Sequence, residues 1–135
     1  MKKVKISLKT LTLNDGVSDE QAFEYDGEYD FKNGAHYLKY SEITEGARVA
    51  TVIKATEKSA VITRTGAVGS VLKVEKGSVH KTEYKTPYGV FSLAVKGDEY
   101  KNLLAEGKGI TLCYTLFNEG GVIGQNKIEI NIKEV

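Results

Sequence analysis

The strongest chemical signal in this chain comes from charged and phenolic side chains placed at strand spacing. In "HYLKYSE", residues 36 to 42, a two-residue side-chain period puts His36, Leu38, Tyr40 and Glu42 on one face and Tyr37, Lys39 and Ser41 on the other. A carboxylate thus shares a face with a leucine and a tyrosine. In "SAVITRTG" the same period groups Arg64 with Ala60 and Ile62, and Arg64 is one of only two arginines, the other being Arg48. A guanidinium suits a partly desolvated carboxylate better than an ammonium does, because its planar N–H fork matches the two oxygens. Glu42 and Arg64 are therefore expected to turn inward as a pair, buttressed by the hydroxyls of Tyr40, Tyr84 or Tyr114. Two uses of such a pair stand open. It fixes strand register as a buried ion pair, or the same Arg and Tyr groups bind the polar head of a small acidic ligand. Thr86, on the face of Tyr84, completes the candidate ligand-binding set of Tyr40, Glu42, Arg64, Tyr84, Thr86 and Tyr114.

Other chemistry finds little support. Neither His36 nor His80 has a partner at metal-ligand spacing, so no metal site is expected. The single cysteine, Cys113, lies in the alternating "ITLCYTLF" and shows no adjacent base, which reads as a half-buried structural thiol suited to a reducing cytoplasm. "EGKGIT" lacks the glycine spacing and the Ser or Thr after lysine that a phosphate loop needs, and "GVIGQNK" is not the dinucleotide pattern. No catalytic residues and no cofactor are expected; an enzyme would require His36 or His80 to meet a carboxylate or Cys113 in a cleft.

With 135 residues the chain forms one domain, residues 1–135, large enough to bury a core. Lys and Arg number 19 against 18 Asp and Glu, a net charge of +1 that offers no field to gather nucleic acid or anionic membrane. The Lys and Tyr interleaving in "HKTEYK" is interrupted by Glu83 and reads as a solvated strand face rather than a stacking platform. The start, "MKKVKISLKTLTL", breaks every apolar run with Lys, Ser or Thr, so neither a signal peptide nor a spanning segment is expected.

Alternation of apolar and polar residues recurs in "KVKISLK", "FEYDGEYDF", "ARVATVIKAT", "SAVITR", "SVLKVE", "GVFSLAV", "GITLCYTLF" and "NKIEINIKE". Turn residues able to take positive φ separate these segments: Asn14-Asp15-Gly16, Asn33-Gly34, Glu45-Gly46, Thr65-Gly66, Lys76-Gly77 and Gly120-Gly121. Such short connections make sequential strands antiparallel, and residues 98 to 109 alone leave room for a helical turn or two. Closing the meander removes its exposed edges. The expected fold is all-β, an up-and-down barrel of about eight to ten strands with one short helical connection near residues 98–106. Inward parity passes from even (His80, Thr82, Tyr84, Thr86) to odd (Phe91, Leu93, Val95) across Thr86-Pro87-Tyr88-Gly89, which marks a corner there. Val4, Ile6 and Leu8 are even while Leu11 and Leu13 are odd, which predicts a bulge near Lys9 and Thr10.

The elements "YLKYSE", "ITRTGAV", "YKTPYGVFSL", "ITLCYTLF" and "NKIEINIKE", in that order, resemble the YwiB-like family of small bacterial proteins, a domain of unknown function with a calycin-like β-barrel. The resemblance covers nearly the whole chain and implies fold more than function. Calycins include lipocalins and fatty-acid-binding proteins, so it adds some weight to a ligand-carrying role. The chain has no tryptophan, and the Gly-x-Trp start of lipocalins proper is missing. Two functional expectations follow. One is a cytoplasmic barrel that holds a small, partly apolar or acidic molecule; the other is a sealed, side-chain-filled interaction module that docks a protein partner, including a second copy as a homodimer.

Overall fold

In the computed structural model, which describes residues 2–44 and 46–135, ten antiparallel strands follow one another in a continuous meander. They are β1 (Lys2–Asn14), β2 (Val17–Lys32), β3 (Ala35–Thr44), β4 (Ala47–Ala55), β5 (Ser59–Gly66), β6 (Ser70–Glu75), β7 (Val79–Thr86), β8 (Gly89–Asn102), β9 (Ile110–Asn118) and β10 (Gly121–Glu134). Only one helical element occurs among the described residues, a 3-10 turn at Leu104–Glu106. The helical connection expected at residues 98–106 is thus shorter than its span, because β8 continues as strand through Asn102. No described helix is long and apolar enough to cross a membrane.

The turns explain why neighbours pair. Asp15-Gly16 and Asn33-Gly34 both hold two successive positive φ angles, 50° and 76°, then 53° and 76°. That geometry matches the right-handed twist of the flanking strands and yields two-residue hairpins. Pro87 and Tyr88 form another two-residue reversal, as expected, with Thr86 paired to Gly89, and here the positive φ falls on Gly89 (140°). Gly66 differs from expectation: it belongs to β5, and the β5–β6 reversal falls on Ala67 and Val68. Glu45, the first residue of the expected Glu45-Gly46 turn, lies outside the described residues.

Pairing runs β6-β5-β4-β3-β2-β1-β10-β9-β8-β7, which sets the first and last strands, β1 and β10, side by side. The ring is nearly closed between β6 and β7–β8. Gly69 and Lys85 exchange both backbone hydrogen bonds at one end of this seam (2.9 and 2.7 Å), and Gly97 bonds to Gly77 and Ser78 at the other (2.9 and 3.0 Å). Between them the strands splay, spanned by a bond from the Thr82 hydroxyl to the Val71 carbonyl at 2.5 Å. Close approach at Gly97 demands glycine, since a Cβ there would lie 2.2 Å from the Glu75 carbonyl oxygen.

The expected bulge near Lys9 and Thr10 is absent. β1 keeps one unbroken register with β2 and with β10, so Thr10 faces inward while Leu11 and Leu13 stand on the outer face, 39% and 42% exposed. Bulges occur instead at Gly97–Glu99 in β8 and Val122–Gly124 in β10.

Inward positions fill one end of the barrel solidly. Val4, Ile6, Leu38, Ile53, Val74, Val95, Ile110, Leu112 and Ile130 are fully buried there. The β8–β9 connection plugs this end with Leu104 and is tied across it: the Tyr100 hydroxyl and Asn102 Nδ2 (3.1 Å) both donate to the Thr56 carbonyl of the β4–β5 turn. Toward the opposite end, where the β1–β2, β3–β4, β5–β6, β7–β8 and β9–β10 turns lie, the interior is not filled.

Candidate functional site

The unfilled half is a cavity of about 370 Å³. Its apolar wall comes from Leu8, Ile53, Ile62, Leu72, Leu93, Leu116 and Ile128, and five aromatic side chains, Phe23, Tyr25, Tyr40, Tyr84 and Tyr114, face it. Phe23, 40% exposed, stands at its rim and shows where it meets solvent.

Three strands in direct register position the polar groups. Tyr40 on β3 pairs with Thr51 on β4, and Thr51 pairs with Arg64 on β5, so all three side chains project inward on one row. Glu42, two residues beyond Tyr40, projects on the same face one row nearer the open end. Arg64 Nη2 donates to Glu42 Oε1, and the Tyr25 hydroxyl donates to Glu42 Oε2 at 3.1 Å. Both carboxylate oxygens are therefore engaged. The ion pair is partly desolvated, its side chains 27% (Arg64) and 18% (Glu42) exposed. The Thr51 hydroxyl is fully buried beside that of Tyr40 without hydrogen-bonding geometry, a buried oxygen left unpaired.

Tyr25 and Tyr40 stack with centroids 4.6 Å apart and planes 15° apart, and Phe23 continues the row at 6.1 Å and 12°. Desolvation, followed by the negative charge of Glu42, pushes the Tyr25 and Tyr40 phenols up to about 12; desolvation alone raises Tyr114 to about 12 against the opposing pull of Arg64. All three remain neutral hydrogen-bond donors across the physiological range.

Of the six residues predicted from sequence, Tyr40, Glu42, Arg64, Tyr84 and Tyr114 line the cavity together. Thr86 does not. Its hydroxyl accepts from the Tyr88 amide and donates to the Gly89 carbonyl, both at 3.1 Å, so it caps the Pro87–Tyr88 turn. Tyr88 sits exposed at the tip of the same hairpin. Phe23 and Tyr25 were not singled out from sequence, although "FEYDGEYDF" puts Phe23, Tyr25, Tyr29 and Phe31 on one face.

The remaining reactive groups lie elsewhere. His36 is buried near the plugged end, where the Tyr29 hydroxyl lies 2.6 Å from Nδ1 and burial holds its pKa below the ordinary value. His80 Nε2 lies 3.9 Å from Glu75 Oε1, beyond hydrogen-bonding distance, and that oxygen already accepts from the Ser78 hydroxyl at 3.0 Å. Cys113 is half-buried, and desolvation pushes its thiol up. Lys81, Glu83 and Lys85 project outward from β7 into solvent.

Residues 6–130 match the family model described as a domain of unknown function (DUF1934). The chain is 26% identical over 114 residues to the uncharacterized beta-barrel protein YwiB of Bacillus subtilis (strain 168), covering 84% of this chain and 80% of that one. It also superimposes on the crystal structure of the ywiB protein from Bacillus subtilis with a TM-score of 0.83, at 24% identity and with coverage of 96% of this chain and 91% of that chain. The fold expected from the turns is thus found in an experimental structure of a relative, and this chain belongs to the DUF1934 family of β-barrel domains.

Proposed function

We propose that this protein holds one small, partly apolar molecule in the hollow half of its barrel, with Arg64, Glu42, Tyr40 and Tyr84 as the polar contacts. One observation carries the reading: a barrel packed solid at one end keeps about 370 Å³ open at the other, lined by an ion pair, phenols and aliphatic side chains. That volume lies near the lower limit of small-molecule sites, roughly 300 Å³ upward, and suits a compound of one or two rings. An apolar wall with a few convergent polar groups is the usual composition of such sites. The half-buried single thiol suits residence in the cytoplasm. Native mass spectrometry of protein isolated gently from cells tests the proposal. A species heavier by one small molecule is expected, and it should diminish in an Arg64→Met variant. Protein that carries no extra mass and takes up no small aromatic or aliphatic probe would refute it.

A second reading, self-association as a homodimer, is favoured by a different feature. β8 pairs with β9 only from Ala94 onward, so the β7–β8 hairpin projects beyond β9 carrying Tyr88, Val90 and Phe91, 87%, 58% and 52% exposed. Exposed apolar side chains on both faces of a projecting hairpin are the kind of surface that a second copy covers. Sedimentation analysis decides it: a dimer that dissociates on Phe91→Ser supports this reading, and a monomer at high concentration ends it.

A further inference from the structure

We infer that the cavity selects an uncharged, planar aromatic molecule bearing one oxygen acceptor, such as a phenol or an aryl ketone, over a carboxylic acid; this rests on the ligand-holding role proposed above. Glu42 and Arg64 are the only charged side chains lining the cavity among the described residues, and they cancel. An anionic head drawn to Arg64 would stand within a few ångströms of the Glu42 carboxylate. In a partly desolvated site, repulsion between two negative charges at that range offsets most of the attraction to a shared guanidinium. Each Glu42 oxygen already accepts one bond, Oε1 from Arg64 and Oε2 from Tyr25, and keeps a lone-pair site for a neutral donor such as a phenol hydroxyl. Arg64 supplies donors. Among the described residues its side chain makes one hydrogen bond to protein, through Nη2, which leaves N–H groups free for a neutral oxygen.

The preference for a flat ring comes from the wall. Phe23, Tyr25 and Tyr40 lie nearly parallel, with successive planes 12° and 15° apart, in a stacked row that a flat ligand ring can extend, and Tyr84 and Tyr114 also border the cavity. Stacking on one of these rings adds about 0.5–1.5 kcal/mol beyond the area buried, a gain that a flexible aliphatic chain lacks. A cavity of about 370 Å³ holds two fused rings more readily than a long extended chain.

Calorimetric titration of the intact protein at neutral pH with 2-naphthol, 2-naphthoate and decanoate tests this. 2-Naphthol should bind about tenfold or more tightly than either anion, given the like-charge repulsion at Glu42. In Glu42→Gln, where Arg64 keeps its charge and loses its partner, 2-naphthoate should gain at least about tenfold by the same electrostatic reasoning. Wild-type protein that prefers 2-naphthoate or decanoate would overturn the selectivity while leaving a ligand-holding barrel intact. Binding of none of the three would overturn the ligand-holding role itself. If Glu42→Gln fails to fold, the wild-type ranking alone decides.

Discussion

Removing the Arg64 guanidinium leaves the Glu42 carboxylate against an apolar wall with only the Tyr25 hydroxyl to satisfy it. A fully buried pair that loses one partner costs roughly 3–5 kcal/mol, and partial solvent access lowers the expected loss for Arg64→Met to about 2 kcal/mol. Adding Glu42→Gln should recover about half of that loss, since no unpaired charge remains; urea denaturation of both variants measures it. The phenols supply a second check. Tyr25, Tyr40, Tyr100 and Tyr114 are held up to about 12 from an ordinary value of 10, chiefly by burial. The folded state thus keeps protons that the unfolded chain releases near pH 10, so stability is undiminished below pH 10 and falls between about pH 10 and 12. Ultraviolet titration should show a tyrosinate fraction appearing only near pH 12; complete ionisation near pH 10 in folded protein would contradict the buried placement. At this scale the sequence was partly legible. Glu42 and Arg64 could be paired because each shares a strand face with aliphatic residues. Thr86 misled, because the hydroxyl of a residue before proline is drawn into the turn it precedes.

Among the elements, the seam between β6 and β7–β8 depends on Gly97. Gly97→Ala drives a methyl group into the Glu75 carbonyl and should destabilise by about 2–4 kcal/mol, whereas Gly69→Ala, at the other end of the seam, meets only the Lys85 side chain at 3.6 Å and should change stability by less than about 0.5 kcal/mol. Equal effects in chemical denaturation would show that β6 does not close on β8 at this point. Strand order was readable from the turns, since two-residue reversals leave neighbours no arrangement but antiparallel. No bulge occurs near Lys9 and Thr10, because Leu11 and Leu13 face outward and the parity of β1 never changes. Apolar residues are common on protein surfaces, so alternation alone does not fix which set points to the core. The seam itself was not visible in sequence, because Glu75 and Gly97 meet through backbone contact between segments 22 residues apart.

For the whole molecule, one buried imidazole contributes to the acid response. His36 is neutral in the fold, its Nδ1 facing the Tyr29 hydroxyl, with its pKa lowered by burial. The unfolded chain takes up that proton near pH 6.5 while the folded one resists, so stability holds above this value and declines as pH falls below it. Replacement of His36 by Gln should flatten the decline in thermal unfolding between about pH 6.5 and pH 5. A hollow half-barrel could not be foreseen from composition or periodicity. Whether inward side chains meet across the axis depends on how ten strands set the barrel's girth, and aliphatic side chains face inward at the plugged end and the open end alike. The central claim is that this open half admits a ligand. Backbone amide NMR with saturating 2-naphthol tests it most directly: shifts should cluster at Tyr25, Tyr40, Glu42, Arg64 and Tyr114, whereas an unchanged spectrum, or shifts confined to outward-facing residues such as Lys81 and Glu83, would contradict it.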